Sequence, residues 1–122
     1  MKHDVSGHLP LSPATLHVLL ALTAGELHGY AIMLEVARQS GGQYKIGPGT
    51  LYDNIKKLLK LGFIEEVPEP KERVDSPADN APRRRYRLKP LGRAVLAAET
   101  ERLTTVLRHA RRGLALCGEF QS

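Results

Sequence analysis

The segment from Gly47 to Gly62 constrains the fold most, because its residue pattern fits only one kind of secondary structure. Pro48 favours the first turn of a helix, and Gly62 suits the residue that ends one. At about 100° per residue, apolar side chains share one side of this helix and polar side chains the other. The apolar side holds Leu51, Ile55, Leu58 and Leu59 with Tyr52 at its edge, and the polar side holds Thr50, Asp53, Asn54, Lys57 and Lys60. The segment is therefore predicted to be a helix with one buried and one exposed stripe.

Start and stop signals predict the remaining elements. Ser12 and Pro13 begin a first helix that Gly25 ends, and a second helix begins near His28 and ends by Gly42. Two strands, 63–67 and 83–88, flank a proline-rich loop at 68–82 and form a hairpin, and a long helix follows from Leu91. The predicted organisation is an N-terminal tail at 1–11, a three-helix and hairpin domain at 12–89, a C-terminal helix at 90–116 and a short tail at 117–122.

The positive charge of the chain is concentrated in one run. Eighteen Lys and Arg residues against thirteen Asp and Glu give a net charge of +5, and Arg83–Lys89 alone carries +5. The run either forms a solvated strand whose arginines protect a sheet edge from aggregation, or it contacts phosphates. The run by itself does not separate these two interpretations.

Three helices, a hairpin and a long helix together predict a mainly α, winged helix-turn-helix fold. In this fold the third helix can enter the major groove of double-stranded DNA while the hairpin lies along the backbone. The polar stripe suits that role, because Asn54 can pair with an adenine edge and Thr50 with a base edge or phosphate. Phosphate contacts are expected from Lys56, Lys57, Lys60, Arg83, Arg84 and Arg85. An ordinary solvated helix face is the alternative, and some winged helices bind only proteins.

The C-terminal helix carries a heptad-like apolar seam. The seam comprises Leu96, Leu103, Leu107, Ala110 and Leu114. An extended helix cannot bury such a seam against so small a domain, so a partner helix is favoured over a helix folded back on its own core.

Other kinds of site are not expected. The five histidines lack metal-ligand spacing, one cysteine excludes an intramolecular disulfide framework, and no phosphate-binding glycine motif is present. Cys117 is interpreted as inert, with a redox switch as the alternative. No run is apolar enough to span a bilayer, so the expectation is a cytoplasmic protein with no cofactor, no metal, no membrane association and no enzymatic activity.

Three stretches resemble the PadR family of bacterial transcriptional regulators. They are His28-Gly29-Tyr30, Pro48-Gly49-Thr50-Leu51-Tyr52, and Arg85-Tyr86-Arg87-Leu88 with Leu91-Gly92, within a likeness over residues 9–112. The resemblance implies a homodimer with cross-packed C-terminal helices that binds a two-fold operator, usually as a repressor, and a Tyr52 that reaches DNA. Tyr30 joins the candidate DNA contacts on the same basis. The C-terminal part corresponds to the short, single-helix members of the family.

Regulation is expected to work through a small-molecule effector, or a partner, that changes the angle between the two DNA-reading domains. Short members that capture flat aromatic drugs use a tryptophan, and this chain has none. Two other functions stay open from the residues: a protein-binding winged helix, or a ligand-capturing regulator with secondary DNA binding.

Overall fold

The computed structural model of the chain describes residues 4–68 and 84–118. The α-helices in these residues are α1 (Pro13–Ala21), α2 (Gly29–Gln39), α3 (Pro48–Leu61) and α4 (Pro90–Leu116), with short 3-10 helices at Ser6–His8 and Leu22–Ala24. The strands are β1 (Leu27–His28), β2 (Ile64–Val67) and β3 (Arg85–Leu88). This order confirms the predicted winged helix-turn-helix fold with one long C-terminal helix.

The helix ends follow the predicted signals. The Oγ of Ser12 accepts a hydrogen bond of 3.2 Å from the backbone N–H of Thr15, and so caps α1. Gly62 ends α3 in the left-handed region at φ 80°, where a side chain would be strained. The N–H of Phe63 then donates to the carbonyl of Leu58 at 3.0 Å and closes the last turn.

The sheet has a strand that the sequence did not predict. Its strand order is β1-β3-β2 with antiparallel pairing throughout, and Leu27 lies opposite Tyr86. The prediction was a two-stranded hairpin, because a strand of two residues is too short to show alternation. β3 is therefore the central strand, so its arginines do not protect a sheet edge.

A single apolar core joins the three-helix unit to the sheet and to the start of α4. Its most buried members are Val18, Leu19, Ala21, Ile32, Val36, Leu51, Leu58, Phe63, Ile64 and Val95. Gly92 lets α4 approach the turn after α3 closely, since a Cβ there would lie 2.8 Å from the carbonyl carbon of Phe63. The N–H of Lys89 donates to that same carbonyl at 2.9 Å, which fixes the beginning of α4.

The N-terminal segment is packed on the domain, whereas the sequence predicted a tail at 1–11. Within the described part, Val5, Leu9 and Leu11 are half-buried against the core. The backbone N–H of Leu11 donates to Oε2 of Glu99 at 3.1 Å, a contact between residues 88 positions apart. A segment held by a few long-range anchors has no periodicity, which is why its sequence resembled a tail.

Candidate nucleic-acid interface

The exposed face of α3 is cationic and polar. Thr50, Asp53 and three lysines, Lys56, Lys57 and Lys60, face solvent, while Leu51, Ile55 and Leu58 are buried. The two predicted stripes are thus confirmed. In the described ranges no carboxylate forms an ion pair with any of the three lysines, so their charges are available to an anionic ligand.

Asn54 differs from its neighbours on α3, because its side chain is committed to α1. Its Oδ1 accepts a hydrogen bond of 2.8 Å from the hydroxyl of Thr15, which is buried. Its Nδ2 donates to the carbonyl of Thr50 at 3.4 Å. A helical wheel places Asn54 on the polar side but does not show that a hydroxyl from another helix meets it there. In this structure Asn54 joins the two helices.

Two exposed tyrosines belong to the elements at this face: Tyr52 is in the N-terminal half of α3, and Tyr30 follows Gly29 in α2. Tyr30 of α2 is 66% exposed and Tyr52 is 49% exposed. The phenol of Tyr52 packs on Gly29, and a Cβ built on Gly29 would be 2.8 Å from the Cζ of Tyr52. The ring is therefore held against the first turn of α2 while half of its surface faces solvent. The sequence had placed Tyr52 at the edge of the core without identifying Gly29 as its neighbour.

Strands β2 and β3 form the wing, and its described arginines pair with glutamates. Nε of Arg84 lies 3.3 Å from Oε2 of Glu66. Arg85 Nη1 lies 3.7 Å from Oε1 of Glu26, and Arg87 lies 3.2 Å from Glu26 and 2.7 Å from Glu65. The hydrogen bond that Arg87 donates to Glu65, followed by the one it donates to Glu26, raises the pKa of Arg87 above its usual value.

The pairing affects the phosphate contacts predicted for Arg83, Arg84 and Arg85. Arg83 lies outside the described residues. Arg84 and Arg85 are each engaged by a carboxylate, so phosphates would have to compete for them. The pairing of Arg85 with Glu26 could not be predicted from the sequence, because Glu26 is far from β3 along the chain.

The apolar seam of α4 divides into a buried and an exposed part. Leu96 was predicted at a subunit interface, but it is only 8% exposed and belongs to the core of its own domain. The reason is that the first turns of α4 pack on the domain, whereas the later turns extend beyond it. Leu103, Leu107, Ala110 and Leu114 are exposed in this chain, and so are Val106 and Leu116, which were not part of the predicted seam.

Groups suited to other chemistry are few in the described residues. In 4–68 and 84–118 no three His, Cys, Asp or Glu side chains cluster as metal ligands. None of the helices described here is both long and apolar enough to cross a membrane. Cys117 is partly exposed at the end of α4. Burial raises the pKa of Tyr86, with the charge of Glu66 adding to the effect.

Comparison with known proteins identifies relatives over most of the chain. Residues 18–98 match the model of the "Transcriptional regulator PadR-like family". The "Transcriptional regulator Rv3488" of Mycobacterium tuberculosis is 32% identical over 98 residues, which cover 80% of this chain and 82% of that protein.

Solved structures show the same fold at lower identity. A PadR family transcription regulator from Clostridium difficile R20291 has a TM-score of 0.67 at 16% identity, over 84% of this chain and 99% of that one. Bacillus subtilis PadR in complex with operator DNA has a TM-score of 0.60 at 24% identity, over 73% of this chain and 47% of that one. Given the family match over residues 18–98 and the mycobacterial relative, the chain belongs to the PadR-like family of transcriptional regulators.

Proposed function

We propose that the chain is a sequence-specific DNA-binding repressor that acts as a homodimer on a two-fold operator. The observation that carries the proposal is the exposed face of α3, where Thr50 and Tyr52 are followed by three lysines that have no carboxylate partner among residues 4–68 and 84–118. A helix with this face suits the major groove, where lysines neutralise phosphates and short polar side chains reach base edges. The fold shared with a PadR bound to operator DNA supports the same placement.

The roles of the individual residues follow from their surroundings. Lys56, Lys57 and Lys60 bind phosphates and position α3, and Thr50 contacts a base edge or phosphate. Tyr30 and Tyr52 approach the DNA backbone with their hydroxyl groups, since both rings are substantially exposed beside α3. From the wing, Arg83 adds a phosphate contact, and Arg84 and Arg85 do so where a phosphate displaces the glutamate paired with each of them.

Asn54 takes a different role from the adenine contact predicted for it. Its carbonyl oxygen already accepts a hydrogen bond from the buried hydroxyl of Thr15. If both the oxygen and the nitrogen of the amide turned to an adenine, that hydroxyl would lose its acceptor. We assign Asn54 to positioning: it holds the angle between α1 and α3, and the base contacts fall to its exposed neighbours.

Dimerisation uses the later turns of α4. Leu103, Leu107 and Leu114 together with Val106 form an apolar face on a helix that extends past its own domain. A face of this kind is typical of helix pairing. Pairing of two α4 helices gives two DNA-reading domains whose separation matches one helical turn of DNA or a multiple of it.

Regulation then consists of changing that separation. An effector that binds one arrangement of the two domains better than the other shifts the protein toward or away from the DNA-binding state. Because the target is genomic DNA, the proposal places the protein in the cytoplasm.

The experiment is a titration of the purified protein against its own upstream DNA and an unrelated duplex at several salt concentrations. We expect preference for the upstream fragment and a steep loss of affinity with salt. Lys57→Gln should weaken binding to both duplexes and reduce the salt dependence, whereas Arg93→Gln removes the same charge from α4 and should have little effect. Equal, weak binding that disappears near physiological salt would contradict a sequence-reading role at this site. Selection of binding sites from genomic DNA would then decide whether another operator exists.

A further inference from the structure

The arginine run of the wing is internally neutralised where the structure describes it. Arg84, Arg85 and Arg87 lie 2.7 to 3.7 Å from the carboxylates of Glu26, Glu65 and Glu66, so three positive charges meet three negative charges. By contrast, the lysines of α3 have no such partner among the residues that the structure describes. The described arginines of the most basic stretch of the sequence therefore present less free positive charge than their number suggests.

The pairing is built into the sheet, because β3 lies between β1 and β2. Glu65 is directly opposite Arg87 across the β2–β3 ladder, and Glu66 is opposite Tyr86 and diagonal to Arg84. Glu26 precedes β1 and reaches both Arg85 and Arg87 from the other side. Each carboxylate is therefore placed by strand register, and two separate chain segments supply them.

The pairs are exposed enough to exchange partners. The side chains of Arg84 and Arg87 are half exposed, and so are those of Glu65 and Glu66. Exposed ion pairs of this kind are weak, and salt or a competing anion can replace the carboxylate. A DNA phosphate must displace a glutamate before it gains the full charge of the arginine, and the released glutamate then repels the DNA.

We propose that Glu26, Glu65 and Glu66 determine specificity by lowering affinity for DNA of any sequence. They do so by competing with phosphates for the wing arginines, which leaves discrimination to the contacts of α3. The inference rests on the proposed DNA-binding function and deepens it. Non-specific affinity is largely the sum of phosphate contacts, so removing some of them raises the ratio of specific to non-specific binding.

The test compares glutamine variants on an unrelated duplex by fluorescence anisotropy across a salt series. Glu66→Gln should raise affinity for the unrelated duplex roughly threefold to tenfold at about 0.1 M salt. The slope of log K against log salt should also become steeper by about 0.9, because one phosphate contact is added. Glu26→Gln with Glu65→Gln should act in the same direction through Arg87. The gain on the upstream fragment should be smaller, so the specificity ratio falls.

The matched control is Glu101→Gln. Glu101 is exposed on α4 and has no ion pair with any residue in the described ranges, so this substitution removes the same charge without releasing an arginine. An equal rise in affinity for Glu101→Gln and Glu66→Gln would overturn the proposal, since net charge alone would then explain the effect. Unchanged affinity in the wing variants, with thermal unfolding like that of the parent protein, would also overturn it.

Failure of the inference is distinguishable from failure of the proposed function. If the parent protein binds DNA and Lys57→Gln weakens it while the glutamine variants change nothing, the DNA-binding function stands and the inference is wrong. If the parent and every glutamine variant leave both duplexes unbound at the lowest salt, both are wrong. If only the glutamine variants bind, the inference stands and sequence reading by α3 is the part that fails.

Discussion

The phenol ring of Tyr52 lies against the backbone of Gly29, so α3 meets the first turn of α2 at a residue that has no side chain. A Cβ on Gly29 would come 2.8 Å from the Cζ of Tyr52, closer than real Cβ atoms approach such a neighbour. The contact sets where the tyrosine hydroxyl stands beside the exposed face of α3. The glycine therefore matters to the candidate interface although it cannot itself contact DNA through a side chain.

Gly29→Ala should displace Tyr52 and weaken DNA binding more than it weakens the fold. The neighbour is the end of a side chain that can rotate, so the expected cost in unfolding free energy is about 1 kcal/mol. Urea denaturation and a DNA titration of the same variant measure the two effects. Tyr52→Ala combined with Gly29→Ala should cost less than the sum of the single changes, because the clash is then gone. Strict additivity would show that the two residues do not interact.

Gly92→Ala should destabilise the fold far more severely. Here the neighbour is the backbone of Phe63, whose carbonyl also accepts the N–H of Lys89, so nothing can move aside without breaking the start of α4. We expect a loss of about 3 kcal/mol or more in unfolding free energy, measured by urea denaturation. Gly113→Ala is the matched control, since it lies in the same helix with open space around it and should stabilise by up to about 1 kcal/mol. Similar effects of the two substitutions would contradict the close approach.

Thr15→Val should destabilise by about 1 to 2 kcal/mol, because the Oδ1 of Asn54 loses its donor at a partly buried position. Asn54→Ala should cost a similar amount by leaving the buried hydroxyl of Thr15 without its acceptor. The double variant measured in the same urea series should be less destabilised than the sum of the two. If Asn54→Ala left stability unchanged and abolished only sequence preference, Asn54 would be a base-reading residue after all.

The contribution of Glu99 to stability should depend on pH. Its carboxylate is 1% exposed, and the hydrogen bonds from Arg102 lower its pKa below the usual value of about 4.5, with the N–H of Leu11 adding to the effect. Because the folded-state pKa is the lower one, stabilisation is complete above about pH 4.5 and is lost as pH falls through the folded-state value. The stability difference between the parent and Glu99→Gln should therefore shrink on acidification from pH 7 to pH 3. A difference that stays constant over this range would show that Glu99 contributes only through its shape.

Leu107→Asp should convert a dimer into a monomer, since it places a charge in the exposed apolar face of α4. Sedimentation equilibrium of the parent, of this variant and of Thr105→Asp measures the assembly. Thr105 is exposed on the opposite side of the same helix, so its substitution should leave the dimer intact. A monomeric parent protein, or equal dissociation of both variants, would contradict pairing through this face.

The sequence predicted what depends on local patterns. α3 could be placed because Pro48, Gly62 and the 3.6-residue repeat of Leu51, Ile55 and Leu58 are all contained in one segment. β1 escaped detection because two residues show no alternation, and its pairing with β3 spans most of the domain.

The candidate interface was predicted in outline but not in its contacts. A helical wheel places Asn54 on the polar face of α3 but does not show that the Thr15 hydroxyl lies within hydrogen-bond distance of it. A charge count over Arg83–Lys89 omits the glutamates that strand register places beside the arginines. The packing of the N-terminal segment was missed for the same reason, since Leu11 and Glu99 meet only after the whole domain has folded. Long-range contacts decide each of these features, and a single sequence shows no sign of them.

The length of α4 determines how far its C-terminal end moves when the helix tilts. β1 ends at His28 and α2 begins at Gly29, while β3 ends at Leu88 and α4 begins at Pro90. α4 has 27 residues and is about 40 Å long, and its buried residues lie in its first turns, so those turns would be the pivot of any tilt of the helix. A rotation of about 5° at the pivot moves its far end by roughly 3 to 4 Å over that length. If two subunits pair through α4 as proposed, a small adjustment where the two helices join would swing α2 and α3, which carry Tyr30 and Tyr52, by a comparable distance at the proposed DNA interface.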